Sequence, residues 1–97
     1  MSADAATPLI RRHVLFRGNV QGVGFRYTAR SLAGDLRASG YVRNVPDGAV
    51  ELEVQGPLDD VQGLLEALAA EMGGYIRDTE AYDLPPTANE SGFVIRH

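Results

Sequence analysis

The residues best suited to chemistry lie in one short run, Gly18-Asn19-Val20-Gln21-Gly22-Val23-Gly24-Phe25-Arg26, which has three glycines in seven positions. Glycine lets a backbone turn with its N–H groups pointing inward, and a concave loop of this kind cradles an anion. A helix starting directly after the loop adds the partial positive charge of its N-terminus. Arg26 falls on the first turn of that helix, where its two-donor fork can grip a phosphate or a carboxylate. A phosphate held by the backbone of Asn19, Val20, Gln21, Gly22, Val23, Gly24 and Phe25 and by Arg26 is the natural occupant. Spacing excludes the two commonest phosphate motifs. A P-loop needs Lys and then Ser or Thr after its last glycine, where Phe25-Arg26 stands, and a dinucleotide fold needs G-x-G-x-x-G in a parallel unit. Taken in isolation, the loop reads equally well as a tight turn followed by a solvated arginine.

The elements that would position this loop are legible on both sides of it. His13-Val14-Leu15-Phe16-Arg17 is β-branched and aromatic and stops at Gly18, which predicts a strand. Phe25, Ala29, Leu32, Ala33 and Leu36 recur at the spacing of one helical face, predicting a helix of about three turns broken at Ser39-Gly40. Tyr41 to Val45 reads as a second strand and Pro46-Asp47-Gly48 as a turn. Val50, Leu52 and Val54 then alternate with Glu51, Glu53 and Gln55, the pattern of a half-buried strand paired as a hairpin. Gly56-Pro57-Leu58-Asp59-Asp60 opens a second helix with an apolar stripe at Leu58, Val61, Leu65, Leu68 and Met72, ending at Gly73-Gly74. Tyr75 to Tyr82 is a weaker strand pattern, Pro85 to Asn89 a loop, and Phe93-Val94-Ile95-Arg96 a short last strand. The order β-α-β-β-α-β plus a short strand predicts an α+β, ferredoxin-like two-layer sandwich: an antiparallel sheet with two helices on one face.

Ninety-seven residues, 44% of them hydrophobic, suffice for one domain and one core. Residues 1–10, small and polar, read as a flexible tail, and 11–97 as the domain. The absence of cysteine excludes disulfides, thiolate metal sites and cysteine nucleophiles. The net charge of −4 conceals a split: residues 1–46 hold seven arginines against two acids, whereas 47–97 hold two arginines against eleven acids. All nine basic residues are arginine, which compositional bias explains as readily as anion binding. The sequence has no export signal and no apolar run of membrane-spanning length, so a cytoplasmic, monomeric protein with no membrane partner is expected.

Gly18-x-Val20-Gln21-Gly22-Val23-x-Phe25-Arg26, followed by Val42-Arg43-Asn44 and Asp47-Gly48, resembles the acylphosphatase family. The resemblance runs from about His13 to the end of the second helix, and more loosely through Phe93 to Arg96. It implies hydrolysis of a carboxyl–phosphate anhydride to a carboxylate and inorganic phosphate, with a small acyl phosphate as substrate and with neither cofactor nor metal. By the same resemblance Arg26 matches the phosphate-binding arginine and Asn44 the water-positioning asparagine; otherwise Asn44 reads as a turn residue satisfying backbone groups. Arg37, Tyr41 and Gly73-Gly74 depart from common family residues without touching the loop, Arg26 or Asn44.

Two competing readings remain. One is a non-catalytic acylphosphatase-like domain that only binds phosphate or a similar anion. The other, an RNA-binding module on the same fold, needs stacking aromatics on its central strands, where this chain offers Val50, Leu52 and Val54 on one side and acids on the other; no nucleic-acid partner is expected. His13 and His97 stand at opposite ends of the sequence and suggest no metal site. Arg17 and Arg43, near the loop and Asn44, are expected to add a weak attractive field for a dianion.

Overall fold

The computed structural model describes residues 8–97. The chain runs through β1 (Leu9–Gly18), α1 (Phe25–Ala33), β2 (Ser39–Asn44), β3 (Val50–Pro57), α2 (Leu58–Met72), a 3-10 turn at Gly73–Tyr75, β4 (Ile76–Leu84) and β5 (Phe93–Arg96). The strands form one sheet in the order β4-β1-β3-β2-β5. Alternation along the strands sends Val14 and Phe16 of β1, Val42 of β2, and Val50, Leu52 and Val54 of β3 to the same face. There they meet Phe25, Ala29 and Ala33 of α1 and Val61, Leu64, Leu68 and Met72 of α2 in a single core. The α+β, ferredoxin-like arrangement is thus the one expected. Among the described residues no helix is long and apolar enough to cross a membrane.

Four details differ from the expectation. β1 begins at Leu9, because Leu9 and Ile10 extend the ladder opposite Pro57 and Gly56. Of residues 1–10, expected to be a flexible tail, Leu9 and Ile10 lie in β1, and 1–7 lie outside the described residues. Second, α1 ends at Ala33, where the Gly34 N–H caps it on the Arg30 carbonyl, and Ser39-Gly40 belongs to β2 rather than to a break. Leu36 still packs against the core from the turn that follows. Third, α2 buries Leu64 fully and Leu65 only partly, so its stripe is rotated toward the middle of the sheet and Leu65 faces a groove beside β4.

Finally, the sheet is not wholly antiparallel: β5 pairs in parallel with β2. β4 occupies the opposite edge, so residues 85–92 must cross one end of the sheet before β5 can start beside Gly40. That crossing puts the last residues of β5 at the same end as Gly18 and Asn44.

Gly40 is fixed by this packing. Its φ is 137°, and a Cβ there would run into the Glu53 carbonyl of β3. Gly40→Ala is therefore expected to cost about 3 kcal/mol, combining a φ region that only glycine enters easily with a backbone clash. A lowered urea midpoint at unchanged slope would measure it, and an unchanged midpoint would contradict it.

Candidate active site

The loop between β1 and α1 owes its shape to glycine at two points. Gly22 and Gly24 have φ of 78° and 81°, left-handed values that a side chain disfavours, and at neither would a Cβ meet a neighbour. Backbone conformation, rather than space, thus selects glycine here. Gly24 is the N-cap of α1 and has no side chain to cap it. The first intrahelical bond runs from Thr28 N–H to the Gly24 carbonyl, so the N–H groups of Gly24, Phe25, Arg26 and Tyr27 have no partner within the helix.

Two side chains anchor the loop to the core. Val20 is fully buried, and Phe25 packs against Phe16 with ring centroids 5.0 Å apart. Val23 leans on the same core. Asn19 behaves differently: its N–H donates to the Tyr75 carbonyl at 2.9 Å, so this residue fastens the loop to the turn before β4. Gln21 also points away from the mouth of the loop; its Nε2 donates to the carbonyls of Val45 and Ala49, both at 2.8 Å.

A cavity of about 160 Å³ opens at this loop, lined by Val20, Gly22, Gly24, Phe25, Arg26, Tyr27 and Asn44. Arg26, on the first turn of α1, and Asn44, the last residue of β2, thus face one space although eighteen residues separate them. Drug-sized pockets run to roughly 300–1,000 Å³, so this one suits a small head group rather than a whole large ligand. A larger cavity, about 380 Å³, lies at the opposite end of the sheet beside Ser39, Gln55 and Glu90. Those polar groups are already bonded to Arg11, Thr87 and one another, so size is a poor guide to the site. Among the described residues no three His, Cys, Asp or Glu side chains converge to hold a metal ion.

The cavity has two neighbours to which the sequence reading gave no role at the site. Tyr27, largely exposed, forms part of its rim, with the Arg30 guanidinium 5.3 Å from its ring centroid. His97 places Nδ1 3.4 Å from Arg26 Nη1. A guanidinium only donates, so Nδ1 can serve this contact only as acceptor. The nearness of His97 follows from the parallel docking of β5, which no local pattern reveals.

The expected field from Arg17 and Arg43 is largely cancelled. Arg17 pairs with Asp47 at 3.1 Å and Glu80 at 3.2 Å, and Arg43 pairs with Glu51. The Ala49 N–H and the Arg17 guanidinium hold the Asp47 carboxyl below the usual carboxylate range, keeping it charged opposite Arg17. Both arginines tie strands together, and Arg26 is the cation that lines the cavity.

The acylphosphatase family model matches residues 12–95. The chain belongs to the acylphosphatase family. It is 54% identical to an acylphosphatase of Bifidobacterium longum over 61 residues, 63% of each chain, so that alignment spans less than two thirds of the relative. A Roseiflexus acylphosphatase is 39% identical over 90% of this chain and 95% of its own. The solved structure of an acylphosphatase from Coxiella burnetii superposes with a TM-score of 0.81 at 28% identity, covering 99% of this chain and all of that one. The residues in which this acylphosphatase-family chain departs from common usage lie off the cavity. Arg37 bonds Asp60, and Tyr41 lies beneath the Arg96 guanidinium, 4.0 Å from it.

Proposed function

We propose that this protein hydrolyses small acyl phosphates to a carboxylate and inorganic phosphate. The observation that carries the reading is the meeting of Arg26 and Asn44 across one small cavity floored by a loop of backbone donors. Phosphoryl transfer asks chiefly for positioning and for stabilisation of charge on the transferred group. The N–H groups at the start of α1 and the Arg26 fork supply that stabilisation to the phosphoryl oxygens. Asn44 orients the attacking water in this proposal, since a neutral amide both donates and accepts.

Water attacks phosphorus, the bond from phosphorus to the acyl oxygen breaks, and the carboxylate departs with the electron pair. Its conjugate acid has a pKa of about 4, like that of Glu, so the leaving group needs no proton. The proton lost by water passes to a phosphate oxygen. Neither a general acid nor a metal is required by this scheme. The cavity holds the phosphate end, which leaves the acyl group free to vary. Action as a monomer on a dissolved cytoplasmic substrate belongs to the same proposal.

Phosphate release from benzoyl phosphate tests the reading. The wild-type protein is expected to turn over, also in the presence of a chelator, and Asn44→Ala to lose about 10² in kcat through misplacement of the water. Phosphate binding without turnover in the wild type would instead establish the anion-binding domain.

A further inference from the structure

We propose that Gln21 is a positioning residue that sets the distance between the phosphate loop and Asn44. The inference rests on the hydrolase reading above and assigns a task to a side chain that reading does not use. Gln21 stands between two residues that line the cavity, Val20 and Gly22, yet its own side chain leaves the loop and reaches the β2–β3 turn. A glutamine amide nitrogen has two hydrogens. Both are engaged, one on the Val45 carbonyl and one on the Ala49 carbonyl, each at 2.8 Å. The Gln21 nitrogen therefore has no hydrogen left for an anion.

The acceptors are the two carbonyls that close the turn. Val45 N–H donates to the Ala49 carbonyl at 3.0 Å, and Gly48 N–H to the Val45 carbonyl at 3.1 Å. With Gln21 added, each carbonyl accepts two bonds, its full capacity. Val45 directly follows Asn44. The loop that holds the phosphate is thereby joined, one residue away, to the strand end that holds the water. The other support of this turn from β1 is the pair between Arg17 and Asp47, which is exposed on both sides and so contributes little. Loss of Gln21's bonds would leave the N–H cradle intact while letting Asn44 shift relative to it, and small misplacements are costly in rate.

Gln21→Met keeps length and bulk but removes both donors. In the benzoyl phosphate assay its kcat is expected to fall about tenfold. KM and the inhibition constant of inorganic phosphate should stay at the wild-type values, because the cradle is untouched. An unchanged kcat, or phosphate inhibition weakening in step with kcat, would overturn the assignment; the second result would make Gln21 a phosphate ligand. Should Gln21→Met not fold, Gln21→Glu is read in its place. A carboxylate facing two carbonyls repels them, and acidification restores one donor, so kcat relative to wild type should rise as pH falls; a flat ratio counts against the proposal. A wild type without turnover removes the hydrolase reading and this inference together. Wild-type turnover with unaltered variants removes only the role of Gln21.

Discussion

Arg26→Lys is expected to lose about 10³ in kcat/KM on benzoyl phosphate, close to the loss in Arg26→Ala, although it keeps the positive charge. Charge alone is a small part of what the site asks of this residue. The phosphoryl group spreads charge over three oxygens in the transition state, and the planar fork of a guanidinium can meet two of them at fixed spacing. An ammonium offers one compact point charge on a flexible stem. Lysine would also lose the contact that Nη1 makes with His97, one of the few restraints on a side chain that is otherwise partly exposed. Arg17 and Arg43 cannot substitute, because they are held by Asp47, Glu80 and Glu51. Steady-state kinetics on purified variants, with circular dichroism to verify folding, measure the effect. Near wild-type activity in Arg26→Lys would mean that charge suffices and that the backbone donors carry the geometry.

Local patterns made the core strands and helices legible, and contacts between distant residues account for most of what was not. The alternation of Val50, Leu52 and Val54 fixed both the strand and its buried face, since period two admits one assignment. The start of β1 has no local signature because Leu9 and Ile10 are held by Pro57 and Gly56, far along the chain. The stripe of α2 shifted from Leu65 to Leu64 because adjacent leucines satisfy the same helical period, and only the sheet beneath decides between them. In the site, the left-handed glycines and the position of Arg26 at the start of a helix were readable from the loop itself. That Asn44 lines the same cavity was implied by family resemblance alone. The sequence groups Gln21 with a loop expected to bind phosphate through its backbone, whereas its side chain bonds the neighbouring hairpin. Arg11 carried no local signal at all.

Loss of Arg11 should strongly destabilise the fold. The residue lies on the sheet face opposite the helices, where an exposed side chain is the norm, yet only 4% of it is accessible. Its guanidinium meets Glu53 at 2.6 Å and Glu90 at 2.7 Å, and also bonds Gln55 and Thr87. Glu90 and Thr87 belong to the crossing between β4 and β5, so Arg11 pins that crossing to β3. Arg11→Ala would leave two carboxylates facing each other without their shared cation. Removing one partner of a buried pair costs roughly 3–5 kcal/mol. Because the Glu53 and Glu90 side chains keep 15% and 21% exposure, the lower end, about 3 kcal/mol, is expected.

The loss should depend on pH in a defined direction. The hydrogen bond from Arg11 holds the Glu90 carboxyl below its ordinary 4.5, against the opposing effect of burial. Burial pushes Glu53 up, but hydrogen bonds from His13 and Arg11 outweigh it and leave that carboxyl lowered as well. A carboxyl depressed in the folded state adds stability above its unfolded value, and that stability is lost as pH falls through the folded one. The gap between wild type and Arg11→Ala should therefore be full at neutral pH and narrow below about pH 4.5, as acid removes from the wild type what the substitution removes from the variant. Urea denaturation across this range measures the gap. A gap that stays constant on acidification would show that the packing of the arginine stem, rather than its ion pairs, holds the crossing in place.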